Sequence, residues 1–137
     1  MKNRTFATLG LLALLATASA FGQQRMTFDI PFEFRSGATI MPAGHYTVTQ
    51  ESQSGVTNLA CRACKVDVRF LTHQVGGYTA GSESKLVFDK YGAKYFLASV
   101  WSPNGVGGAL PTSEAERETA IRAALPPTEH VVIAARR

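Results

Sequence analysis

Met26-Thr27-Phe28-Asp29-Ile30-Pro31-Phe32-Glu33-Phe34-Arg35 is the stretch that decides the fold. Apolar Met26, Phe28, Ile30, Phe32 and Phe34 alternate with Thr27, Asp29, Pro31, Glu33 and Arg35. Successive side chains of a strand point to opposite faces, so strict period-two alternation predicts a β-strand with one buried face. Pro31 has no N–H to give to a ladder, which puts an edge position, a bulge or a break there. Ser36-Gly37 then turns the chain.

Toward the C-terminus the same pattern returns in shorter pieces. Pro42-Ala43-Gly44 is a turn signal, and after it Tyr46 and Val48 alternate with His45, Thr47 and Thr49. Ser52-Gln53-Ser54-Gly55 reads as a loop. Val56–Cys61 and Val66–Thr72 read as two strands joined by a tight turn at Arg62-Ala63. Gly76–Ser84, rich in Gly, Ser and Thr, reads as a surface loop. Lys85–Lys90 and Lys94–Trp101, rich in Val, Phe, Tyr and Leu, form a hairpin around Gly92-Ala93. Ser102–Gly108 is again loop-like. At Thr112 the character changes. Ser113 and Glu116 have capping-box spacing, and a short helix is predicted from Ser113 to Ala124, stopped by Pro126-Pro127. Its apolar face is thin (Ala120, Ile121, Ala124 and Leu125), so it should lie on the sheet or project from it. Val131-Val132-Ile133 is a final β-prone stretch suited to a sheet edge.

These elements predict a mainly β fold, an antiparallel sandwich or small barrel of about six to eight strands with one short C-terminal helix. Phe28, Ile30, Phe32, Tyr46, Val48, Phe88, Phe96 and Val100 are the predicted core. Tyr95 and Phe96 should face opposite sides of their strand.

Toward the N-terminus, residues 1–22 have the layout of a secretory signal peptide. Lys2 and Arg4 precede an apolar run from Phe6 to Ala16, and small residues follow up to Gly22. The run is shorter than the ~20 residues of a membrane span. Cleavage after Gly22, leaving Gln23 first, is favoured over cleavage after Ala20, and no Cys near the cut invites lipid anchoring. The expectation is a single β-rich domain over 23–137, soluble, exported to the periplasm or beyond the cell, with no membrane span in the mature chain. The formal charge of +4 falls to +2 once Lys2 and Arg4 are removed. The basic residues are scattered and lack the aromatic-interleaved stripe that nucleic-acid binding requires.

Two cysteines, Cys61 and Cys64, are the sharpest local constellation. A redox dithiol usually opens a helix, whose N-terminus lowers the first thiol's pKa, whereas these flanks are β-like. Zinc would need two more ligands, and no second close Cys or His pair exists. The favoured reading is a disulfide across a hairpin turn, with Cys61 and Cys64 flanking it as directly opposed residues, closing so short a loop that it stabilises little. His45 and His73 could meet across a sheet, with Asp67 or Glu33 as a third ligand, but exposed histidines, His130 included, explain the pattern better. Asp29, Glu33, Asp67 and Asp89 occupy polar strand positions, as solvated faces do. There is no Gly-x-Ser-x-Gly elbow, and the Gly-rich stretches lack a following Lys-Ser/Thr, so a P-loop is excluded. No catalytic, metal or cofactor-binding residue is assigned and no cofactor is implied. The aromatics Phe28, Phe32, Phe34, Tyr46, Phe70, Phe88, Tyr95 and Trp101 either fill the core or line an apolar ligand cavity. Filling is favoured, because a short chain needs its large side chains for stability.

In the order "DIPFEFRSG", "MPAGHYTV", "KLVFDKYGAKYFLASVW" and "LPTSEAERE", behind a signal-like leader, the chain resembles a family of small exported bacterial β-proteins of uncharacterised function. The resemblance covers nearly all of the chain after the leader. It implies export and a β fold, and supplies no activity, cofactor or catalytic residue. The cysteine pair is outside the shared pattern. The expected role is a non-enzymatic structural or interaction domain of the periplasm or cell envelope, its partner unspecified. The alternatives are a carrier of a small apolar ligand in a barrel cavity and, behind it, a CxxC thiol redox protein.

Overall fold

The computed structural model describes residues 24–51, 54–76, 83–123 and 129–136. The expected leader, residues 77–82 of the expected surface loop, and the Pro126-Pro127 helix stop lie outside the described residues. The described chain is mainly β, with eleven strands in two curled, half-barrel-like sheets and one helix near the C-terminus.

β1 (Gln24–Ile30), β4 (Gly44–Gln50), β5 (Val56–Cys61) and β6 (Val66–Leu71) form the first sheet in the order β1-β4-β5-β6, antiparallel throughout. The second sheet is built on the predicted hairpin of β8 (Lys85–Tyr91) and β9 (Lys94–Trp101). β11 (Glu129–Ala134) pairs with β8 along its whole length, as the β-prone stretch suggested. On its other side β9 is shared. Its N-terminal half meets β2 (Phe34–Ser36), which carries β3 (Thr39–Met41). Its C-terminal end meets β10 (Gly107–Ala109), which carries β7 (His73–Val75). Parallel pairing occurs at one point among the described strands, Arg35 against Phe96.

The decisive alternating stretch is divided between the two sheets. β1 ends at Ile30, immediately before Pro31, and the chain re-enters order as β2 in the other sheet. Proline thus acts as the break, and the apolar phase survives the corner. Met26, Phe28 and Ile30 are buried from one sheet and Phe34 from the other. Phe32, expected in the core, sits in the corner and is only half-buried, stacked on Tyr95 at 3.9 Å and edge-on to Phe88 at 5.1 Å. Thr72 makes a second corner between β6 and β7. Its N–H and its hydroxyl both donate to the carbonyl of Gly55, at 2.9 and 3.0 Å.

One core lies between the sheets. Phe28, Tyr46, Val48 and Leu59 from the first meet Phe34, Met41, Leu86, Phe88 and Val100 from the second, all at most 1% exposed. Their aromatic rings meet edge-on, Phe34 lying 5.3 Å from Tyr46 and 5.1 Å from Phe88, the offset geometry that ring quadrupoles favour. Phe96 is buried and Tyr95 half-buried, on opposite faces of β9. Burial pushes the Tyr46 hydroxyl's pKa upward, and that hydroxyl donates to the carbonyl of Pro42.

Three local expectations are corrected. The β5–β6 connection is a four-residue turn, 62–65, in which Lys65 takes a positive φ of 55°, not a two-residue turn at Arg62-Ala63. Part of the expected Ser102–Gly108 loop is strand β10, because two small residues let it approach closely. A Cβ on Gly107 would sit 2.6 Å from the Trp101 ring, and one on Gly108 would sit 2.5 Å from the Thr72 hydroxyl. The helix α1 (Glu114–Ala123) is not anchored by its apolar side chains. Ile121 is 77% exposed, and the buried residue is Glu116.

Candidate functional site

Cys61 ends β5, and Cys64 lies inside the following turn, with 5.2 Å between their Cα atoms and their sulfurs bonded as a disulfide. The two are not opposed across the ladder, since Val66 faces Cys61. The bond packs over the chain at Gly44, where an added Cβ would meet Cys64 Sγ at 3.0 Å. Cys61 is 1% exposed and belongs to the core. A strand end followed by a turn offers none of the helix-terminal field that activates a redox thiol.

The histidines are drawn to single carboxylates, not to one another. His45 faces Asp29 across β1 and β4, and His130 reaches Asp89 at 2.7 Å across β11 and β8. His73 is exposed on β7. Among the described residues no three His, Cys, Asp or Glu side chains form a group able to hold a metal ion. Of the acids singled out in the sequence, Asp29 also lies 3.7 Å from Arg136, where the Arg136 N–H donates to Thr27 O at 2.8 Å. That seam joins the edge of β1 to the end of β11.

Sequence reasoning missed the pair Tyr91 and Glu116. The Tyr91 hydroxyl donates to Glu116 Oε1 at 3.1 Å in a buried setting. Burial, followed by the neighbouring Glu116 charge, pushes the Tyr91 pKa up to about 12. Burial is also the largest influence on Glu116 and raises its pKa; the Tyr91 hydrogen bond opposes that rise, and Asp89 adds to it. The available signal was the capping box. Ser113 does cap the helix, accepting from Glu116 N–H at 3.2 Å. The Glu116 carboxylate turns to the sheet, tying α1 to β8 across 25 residues of sequence.

Among the described residues, surface depressions flank this framework, three of which bear on the site. A polar cleft of about 300 Å³ opens where β4 and β5 meet β7 and β10, lined by Gln50, Thr57, Thr72, Gln74, Ser102 and Gly108 among others. Thr57 Oγ1 is buried there with no hydrogen-bond partner among the described residues. The lining offers amides and hydroxyls, and among the described residues Glu51 is its one ionisable side chain. Within that lining the Ser54 hydroxyl donates to Glu51 Oε2 at 2.5 Å in an exposed setting and accepts from Val56 N–H at 3.3 Å, as in a surface turn. A wider trough of about 630 Å³ runs over the outer face of the first sheet, with Arg25, Arg62 and Lys65 against Asp67. The third, about 590 Å³, is an apolar groove between Val56, Phe70 and Leu71 on one side and Leu110 and Pro111 on the other. It lies against β6, whose other flank has no partner strand among the described residues. Core aromatics Phe28, Phe34, Tyr46, Phe88 and Phe96 line none of the three.

Fold and site together define a disulfide-bearing, two-sheet β-protein. No family model, curated protein or solved structure matches the chain.

Proposed function

We propose that this chain is an exported, non-enzymatic interaction or structural domain of the periplasm or cell envelope, a single domain spanning residues 23–137. The observation that carries the reading is the filled interior. Phe28, Phe34, Tyr46 and Phe88 fill the space between the sheets at 0–1% exposure, and none of them lines the three depressions described. A carrier needs apolar surface facing an empty space. The thiol-redox alternative is weakened by the cysteines' setting at a strand end and a turn. Export is supported by the charged, apolar and small-residue order of residues 1–22.

Native mass spectrometry of the protein recovered from its producing cell tests both parts. The expected mass is that of a chain starting at Gln23 with no bound small molecule. A stoichiometric apolar ligand would replace the interaction reading with the carrier. A chain retaining Met1 in the cytosol would overturn export.

A further inference from the structure

β6 reads Val66-Asp67-Val68-Arg69-Phe70-Leu71. It pairs with β5 on one side, and on the other it has no partner among the described residues. The orientation of its peptide groups follows from the corner. Thr72 N–H donates to Gly55 O at 2.9 Å, continuing the β5–β6 register by one step. Peptide groups alternate sides along an antiparallel strand. Those of Val66, Val68 and Phe70 therefore point at β5, and those of Asp67, Arg69 and Leu71 point outward from the sheet. Val66, Val68 and Phe70 are only half-buried, and Leu71 is 68% exposed. An open edge with apolar side chains on it is a template for another strand.

The order of charges identifies which strand. Natural edges are often protected by like charges, which repel a second copy. Here an acid and a base flank Val68 symmetrically. A second β6, laid antiparallel on a two-fold axis through Val68, sets Asp67 opposite the partner's Arg69 and Arg69 opposite the partner's Asp67. On the core-side face, Val66 meets the partner's Phe70, and Val68 meets the partner's Val68. The outward peptide groups of Asp67 and Arg69 become hydrogen-bonded pairs. Val68 falls at a non-hydrogen-bonded site, where side chains come closest. Shifting the register by two residues breaks both ion pairs, and shifting it by one puts apolar side chains on the polar face.

We propose that the protein forms a two-fold symmetric dimer by antiparallel pairing of β6 with β6 of a second copy, making one continuous sheet of eight strands from the two four-stranded sheets. This names a partner for the interaction reading and rests on it. An isologous edge contact of this kind closes on itself and does not propagate into fibres.

The test is sedimentation equilibrium of the purified full chain across micromolar to millimolar concentration, with charge-swap variants. Wild type is expected to approach twice the chain mass. Asp67→Arg and Arg69→Asp each set like charges opposite each other twice, and each should weaken the dimer about tenfold. The double variant Asp67→Arg/Arg69→Asp restores both pairs with opposite polarity and should return the affinity to within about threefold of wild type. Under mild oxidation Val68→Cys should cross-link to its counterpart. Arg69→Cys should not, because the two copies of position 69 lie diagonally, about 7–8 Å apart. A monomer throughout, or a dimer indifferent to the single swaps, overturns the pairing. A monomer without bound apolar ligand would leave the interaction reading intact and point to an extended segment of another protein as the occupant of the edge. A monomer carrying such a ligand would overturn both.

Discussion

At the scale of single residues, the most consequential side chain is Glu116, an acid buried where a helix meets a sheet. Its pKa is raised in the folded chain, chiefly by burial. An acid with a raised folded pKa binds its proton more readily folded than unfolded. Stability therefore declines as pH rises from the unfolded value, near 4.5, through the raised one. Glu116→Gln keeps an acceptor for the Tyr91 hydroxyl and removes the charge. Its melting temperature should exceed wild type at neutral pH, and the gap should close below about pH 4.5. A gap that widens on acidification would show that the carboxylate is stabilising. The cysteines differ in the same way, by setting. The loop they close is short, so losing the bond through Cys64→Ala should cost about 1 kcal/mol, less than the 2–4 kcal/mol typical of disulfides. Cys61→Ser should cost more by denaturant titration, because it also leaves a hydroxyl buried in the core. Equal costs would mean that the bond alone matters. Two titratable thiols in the denatured, unreduced protein would refute the bond.

At the scale of elements, the strand β10 exists because Gly107 leaves room for Trp101. The register sets the two residues opposite each other, and the indole covers the glycine's backbone. Lys85 Nζ lies 6.0 Å from the same ring. Gly107→Val would drive its side chain into the indole and is expected to cost about 1–3 kcal/mol, as overpacking does. Trp101 is the one tryptophan of the chain, so its emission reports the displacement directly. An unchanged spectrum and midpoint would show that β10 can move aside freely. Such short strands leave little mark in the sequence. Three residues do not make a visible alternation, and Gly-Gly signals a turn more readily than a close approach.

At the scale of the whole molecule, the two sheets share one core and two corners, at Pro31 and Thr72. Neither sheet can keep its buried face dry alone. Unfolding followed by far-ultraviolet dichroism and by Trp101 fluorescence should therefore coincide in one transition. Separate midpoints would divide the chain into independently stable parts. Phe28 is fully buried at the centre of this core. Phe28→Ala should remove about 3–5 kcal/mol, a large share of a small domain's stability. A shift too small to resolve would place Phe28 on the wrong face.

What the amino-acid order determined by itself is the local pattern. Alternation from Met26 to Phe34 marked a buried face, Pro31 marked an interruption, Gly92-Ala93 marked a hairpin, and Ser113 marked a helix start. Each depends on backbone geometry within a few residues, which the sequence displays directly. Phe32 shows where that reach ends, since the alternation placed it in the core and the corner left it half-buried. Tertiary structure alone decided that one alternating stretch serves two sheets, that Glu116 finds Tyr91, and that β6 ends its sheet among the described residues. The physical reason is common to all three. Each depends on which distant segment arrives alongside, and that is chosen by the packing of the shared core, where the free energy of burial is summed over the whole chain and is written in no single stretch of it.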